Sequence, residues 1–352
     1  MSTRHTIPVP AWPPDWPRAH GDPPVAGEYR LVPEDFVVEE WLGFAPEGEG
    51  EHLWLWLEKR DLGTPELARR VARACEVTPR DVGYAGMKDR FAVTRQWLSV
   101  HLPGREAPTD LAERLAAAQV TLLEQARHPR KLKRGVHRGN RFRLRLGGSA
   151  VVHPAFASRW ERIREAGVPN YFGPQRFGPE GRNLQRACGI LARGWRKRDD
   201  RQGMMLSAAR SYLFNELLAE RVRRGDWDRA LPGEVLMLDG TQSLFVADTP
   251  DAELASRVAT GDVHPAGPLW GVGESTARET AAALEQCLGE AHAGLCAALA
   301  ASGVRTARRA LRVRPAAAEL HHHGETAMLA FTLPRGAFAT AVLRELLCHP
   351  TL

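Results

Sequence analysis

Arg141-Phe142-Arg143-Leu144-Arg145-Leu146 alternates basic and apolar residues without a break. Successive side chains of a strand point to opposite faces, so this stretch predicts a half-buried strand with one basic and one apolar face. No Asp or Glu occurs between Gln125 and Trp160, and Arg127, Arg130, Lys131, Lys133, Arg134 and Arg138 lead into the strand. A run of one charge sign is usually a solvated face or a tail. This one passes into a sheet, and a basic face fixed on a sheet suits a nucleic-acid backbone. Lys131, Lys133, Arg134, Arg141, Arg143 and Arg145 are the candidate backbone contacts.

Upstream, Gly86-Met87-Lys88-Asp89-Arg90-Phe91-Ala92-Val93-Thr94-Arg95-Gln96 places one acid beside an ammonium. The turn Gly83-Tyr84-Ala85-Gly86 leads into it. An isolated carboxylate with a basic neighbour, on a glycine-punctuated approach, suits a nucleophile. An arbitrary Lys-Asp pair is far more often a surface ion pair. Lys88 is read as the cation that keeps Asp89 charged or touches a phosphate, against a solvated flank.

At 352 residues the chain suits two domains, and 43% hydrophobic with 26% charged residues is a globular balance. The five scattered cysteines contain no CxxC, which argues for reduced thiols and against a disulfide framework or a structural zinc site. His321-His322-His323 lacks a cysteine or acid at ligand spacing, so no metal is expected. No apolar run reaches membrane-helix length, and the proline-rich start lacks a signal-peptide pattern. A cytoplasmic protein with an ordered or semi-ordered leader is expected. Net charge is +6, with only five lysines among 48 basic residues. Arginine suits phosphate recognition and base stacking, although such a bias can also reflect genome composition.

Along the chain, Pro33 to Glu40 predicts a turn and a strand, and Leu53-Trp54-Leu55-Trp56-Leu57 a strand buried on both faces. Thr64-Pro65-Glu66 predicts a helix start with Thr64 as N-cap hydroxyl. Thr94 to Val100 reads as a strand. After Gly147-Gly148 helices are expected at 154–166, 203–224, 275–300 and 303–312. A strand at 327–333 and a last helix carrying Phe338, Val342 and Leu346 follow. Mixed α and β, then a largely helical middle, then a strand and helix, suggests a domain inserted into another.

Gly83-Tyr84-Ala85-Gly86-Met87-Lys88-Asp89 with Ala92, Thr94 and Gln96 resembles the signature of the TruD family of tRNA pseudouridine synthases. Further blocks match in order: Pro33-Glu34-Asp35-Phe36, Gly48-Glu49-Gly50-Glu51-His52, Gly139-Asn140-Arg141-Phe142, and Asn170-Tyr171-Phe172-Gly173 with Gln175-Arg176-Phe177-Gly178. Leu206-Ser207-Ala208-Ala209-Arg210 and Gly336-Ala337-Phe338-Ala339-Thr340 complete the series. The resemblance spans about residues 25 to 347 and is loose at 241–300.

The resemblance implies an α+β fold: a pseudouridine-synthase-type catalytic domain with a mixed, mainly antiparallel sheet, plus an inserted, mostly helical domain. The catalytic domain would comprise 1–167 and 314–352, and the insert 168–313. It further implies isomerisation of uridine at tRNA position 13, with Asp89 as catalytic nucleophile and Phe36, Asn140 and Phe338 at substrate-contacting positions. Lys88 and Phe142 join the substrate-binding candidates, although the alternation equally places Phe142 in the core. No cofactor is implied, since the reaction has no redox change. Gly83-x-x-Gly86-x-Lys88 also lacks the spacing of a phosphate loop. The expected partner is tRNA, with a monomer needing no obligatory protein partner. The alternative is a tRNA-binding folding factor with secondary or no catalysis.

Overall fold

The computed structural model describes residues 7–196 and 203–352. The chain forms two compact units. One comprises Val25–Phe156 and Pro315–Gly336, the other Met1–Pro24, Ala157–Arg314 and Ala337–Leu352.

The first unit is built on one sheet. Its strands run, edge to edge, Ala316–His323, Thr326–Pro334, Gly139–Gly147, Phe36–Trp41, Val93–His101, His52–Arg60 and Val120–His128. Neighbours are antiparallel, except that Phe36–Trp41 lies parallel to Val93–His101. Glu28–Tyr29 and Val82–Tyr84 are short additions. The sheet is mixed and mainly antiparallel, as expected. Two of its strands, Val120–His128 and Ala316–His323, carried no clear sequence signal. The second holds the histidine tract on an exposed edge.

Register decides which side chains meet. Phe36 faces Leu144, Val38 faces Phe142 and Glu40 faces Asn140. Phe331 faces Phe142 on the other side. Directly paired residues share a face, so Phe36, Val38, Glu40, Asn140, Phe142 and Leu144 line one side. Arg141, Arg143 and Arg145 line the reverse, with Glu39. On the first side the helix Thr64–Ala74 buries Leu67 and Val71 against Leu55, Leu57 and Leu98. Burial of such side chains contributes roughly 1.5–3 kcal/mol each. Thr64 does not cap this helix. Gly63 occupies the cap position, and Thr64 lies within the helix, its hydroxyl turned elsewhere.

The second unit packs helices Arg182–Ala192, Met204–Arg224 and Ala293–Ala301 around Phe177, Leu213, Phe214 and Leu299. It is less helical than the sequence suggested. A four-stranded sheet runs Leu244–Ala247, Glu234–Leu238, Val263–Leu269, Ala307–Ala310. The helix expected at 303–312 is instead the last of these strands, followed by Arg312–Val313. Alanine and arginine favour helix, but Ala307–Ala310 pairs with Val263–Leu269 and Arg308 reaches the Ala266 carbonyl at 3.0 Å, so tertiary pairing outweighs propensity. The proline-rich leader belongs to this unit, where Trp16 stacks on Tyr171 at 5.9 Å.

Candidate active site

Asp89 sits in the segment between Val82–Tyr84 and Val93–His101. Its side chain is 43% exposed, and Arg30 Nη2 lies 3.2 Å from its Oδ1. Arg30 occupies the left-handed region at φ 61°, uncommon for a residue with a long side chain. The conformation costs about 1 kcal/mol, and such positions concentrate at functional sites. From there the guanidinium lies 3.8 Å over the Phe36 ring. Its Nε is buried without a hydrogen-bond partner, and Nη2 is within ion-pair range of Asp89 but outside hydrogen-bond geometry. The cation therefore has two unpaired donors, both shielded from solvent, beside the carboxylate.

Beneath the turn, the buried Lys59 ammonium donates to the Asp89 carbonyl at 3.1 Å and to the Leu62 carbonyl. Burial pushes Lys59 down to about 8, with the nearby Asp89 charge opposing and Lys88 reinforcing the shift. Lys59 pins the backbone of the turn rather than the carboxylate.

Lys88 points the other way. Its Nζ donates to Glu40 Oε2 at 2.6 Å, with side-chain exposures of 3% and 0%. Burial raises the Glu40 carboxyl, against the pull of Lys88. The Lys88 amide donates to Thr64 Oγ1 at 2.9 Å, and that hydroxyl donates to Gln96 Oε1 at 2.9 Å. Gln96 Nε2 closes the ring on the Gly86 carbonyl at 3.3 Å. Thus Thr64, Gln96 and Lys88, separated in sequence, hold the turn rigid. Gly86 is required there: a Cβ would fall 2.9 Å from the His137 ring and 3.0 Å from Lys88 Nζ. Burial and the Lys88 charge push His137 down to about 4, so it is neutral at neutral pH.

Asn140 lies across the strands from Glu40, and its Oδ1 is buried without a partner. An unpaired buried amide oxygen is costly, and its natural complement is a donor from a ligand. Phe36 is 2% exposed and Phe142 7%, stacked against Phe331 at 5.4 Å and edge-on to Phe36 at 6.2 Å. Both rings belong to the core face here, with Arg30 covering Phe36. Phe338 belongs to the other unit, 5.9 Å from Phe172.

The basic residues divide into two groups. Lys131, Lys133 and Arg134 lie on the loop packed beside Tyr84 to Gly86. Arg134 bonds the Tyr84 hydroxyl at 2.9 Å, Lys131 reaches the Arg80 carbonyl, and Lys133 is exposed. Arg141, Arg143 and Arg145 lie on the reverse face of the sheet from Lys59, Glu40 and the Asp89 turn. Arg141 pairs with Glu39 at 3.2 Å and Arg145 with Asp35 at 3.9 Å. Neither Arg30 nor Lys59 carries a local sequence signal. Only the Arg30 backbone conformation and the burial of Lys59 reveal them.

A family model described as tRNA pseudouridine synthase D (TruD) matches residues 18–196 and 198–346. A protein of Chromohalobacter salexigens named tRNA pseudouridine synthase D is 60% identical over 346 residues, covering 98% of this chain and 99% of that one. One of the same name from Pseudomonas putida is 47% identical over 332 residues, covering 94% of each. A Methanosarcina mazei crystal structure bearing the same family name superposes with a TM-score of 0.68 at 21% identity, over 92% of this chain and 94% of that one, a likeness of fold.

Proposed function

The chain belongs to the TruD family of tRNA pseudouridine synthases, and on that premise we propose that it isomerises the uridine at position 13 of tRNA with Asp89 as nucleophile. The observation that carries the assignment is the half-exposed Asp89 carboxylate, aligned by Arg30 on a turn anchored by Lys59 and Lys88. A target base must leave its stack to reach such a group. Asp89 then attacks C1′, the N1–C1′ bond breaks, and the uracil turns. C5 bonds to C1′ as the Asp89 ester is released; C5 then gives up its proton and N1 takes one up, so that the product is an isomer of uridine. A carboxylate suits this cationic sugar centre as it does in glycosidases. On this reading the Asn140 amide meets a uracil edge, supported by its unpaired Oδ1, and Arg30 holds the carboxylate in place.

The loop bearing Lys131, Lys133 and Arg134 borders the same turn and is assigned to the RNA backbone. Phe338 is assigned to the substrate on the family resemblance. The same reading takes the chain as a cytoplasmic monomer. Its five cysteines are unpaired. No described helix is long and apolar enough to cross a membrane.

The test is Asp89→Asn. Binding of tRNA should persist while pseudouridine, mapped in bulk tRNA after incubation, is absent at the target uridine. Turnover like that of the unaltered chain would sink the assignment. Pseudouridine at another position would leave the nucleophile standing and remove the position.

A further inference from the structure

The helix Ala339–Leu346 begins directly after Phe338, and no side chain caps it. Its first amides lack intrahelical acceptors and favour an anion. Thr340, in the first turn, is 5% exposed, and its Oγ1 has no hydrogen-bond partner. Gly173 borders that hydroxyl. A Cβ on Gly173 would fall 2.6 Å from Thr340 Oγ1 and 2.9 Å from Gln175 Oε1. A glycine is what lets the chain pass this close to the hydroxyl, which stays shielded and unpaired.

Arg176 follows three residues on, at the end of the turn Pro174–Arg176. Its Nη1 donates to Ser207 Oγ at 3.1 Å, while its Nε is buried without a partner. Among the described residues no carboxylate lies within ion-pair distance of it. Its guanidinium is 5.8 Å from the Phe338 ring centre and 5.3 Å from that of Phe172. Arg309, tied to Asn170 Oδ1 at 2.5 Å, approaches the same two rings at 5.9 and 4.1 Å. Burial pushes Arg309 down to about 9, with Arg176 contributing. Buried charges are normally neutralised by a partner. Here the Arg176 guanidinium, which has no carboxylate among the described residues, and the unused Thr340 hydroxyl at the helix start both belong to one compact unit.

We propose that the recess framed by Gly173, Arg176 and Thr340 at the start of this helix takes one phosphodiester oxyanion of the bound RNA. A phosphate offers acceptors to the Arg176 Nε, the Thr340 hydroxyl and the first helix amides together, and arginine suits such a group. The proposal rests on the reading that the chain binds tRNA.

The test measures tRNA affinity against salt for the full chain and for Arg176→Gln, Arg176→Lys and Thr340→Val, with folding checked by circular dichroism. Losing one phosphate contact should reduce the slope of log K against log salt by about 0.7–0.9 in Arg176→Gln, and Arg176→Lys should restore it. Inorganic phosphate, at ionic strength matched with chloride, should raise the melting temperature of the unaltered chain more than that of Arg176→Gln or Thr340→Val. A folded Arg176→Gln with an unaltered slope overturns the proposal, even if inorganic phosphate still stabilises, since the recess would then hold only a free anion. If Arg176→Gln does not fold, Thr340→Val decides: diminished phosphate stabilisation with weaker tRNA binding supports the proposal, and unaltered values overturn it. Asp89→Asn should keep the full slope, so failure of the nucleophile assignment reads out separately.

Discussion

Lys88 Nζ lies 2.6 Å from Glu40 Oε2, both side chains buried, so the ammonium adjacent to Asp89 in sequence is committed to the neighbouring strand. Removing one member of such a pair leaves an unpaired buried charge. Glu40→Ala should lose about 3–5 kcal/mol in urea unfolding. The paired change Glu40→Gln with Lys88→Met should recover much of that stability. Equal loss in both variants would show that charge pairing does not hold this turn.

Arg30 is the cation that meets Asp89, so it should govern the chemical step. Arg30→Ala is expected to lower the single-turnover rate by about 10²-fold, the scale of a misplaced reacting group. Arg30→Lys should recover part of it, and tRNA affinity should change little. A rate unaffected by Arg30→Ala would remove its role at the carboxylate.

Lys59 sets a pH dependence. Its pKa in the fold, about 8, lies below the ordinary 10.5. The buried cation therefore costs stability fully below pH 8, and that cost is relieved as pH rises from about 8 towards 10.5. Loss of the charge beneath the turn should alter the single-turnover rate with an apparent pKa near 8. Lys59→Arg, which does not titrate there, should abolish that inflection; its persistence would assign it to another group.

The reverse face of the sheet makes a separable prediction. Replacing Arg141, Arg143 and Arg145 with Ala should weaken tRNA binding and flatten its salt dependence. Because these side chains point away from Asp89, the rate at saturating tRNA should not fall. An unchanged salt slope would mean that RNA does not reach this face.

Much of the sheet-based unit is legible in the sequence because its signals are local. Period-two alternation marked Gly139–Gly147, a continuous apolar run marked His52–Arg60, and the spacing of Leu67 and Val71 marked a buried helix face. In the second unit the same reasoning fails at Ala307–Ala310, where helix-favouring residues are drawn into a sheet by a strand some forty positions earlier. Thr64 failed similarly, since its hydroxyl serves Lys88 and Gln96 instead of its own helix.

Local residue order is enough to mark Asp89 as an isolated acid, the strand that carries Asn140 and Phe142, and the family blocks that surround them. Their residue types and spacings are properties of neighbouring positions. The tertiary fold sets which cation meets Asp89, which carboxylate Lys88 meets, and which sheet face the basic strand presents. Those outcomes depend on strand register and on burial, which bring Arg30 and Lys59 to Asp89 across 59 and 30 positions of chain. No local pattern encodes such a meeting, because a charged side chain finds its partner only after the sheet has set the distances.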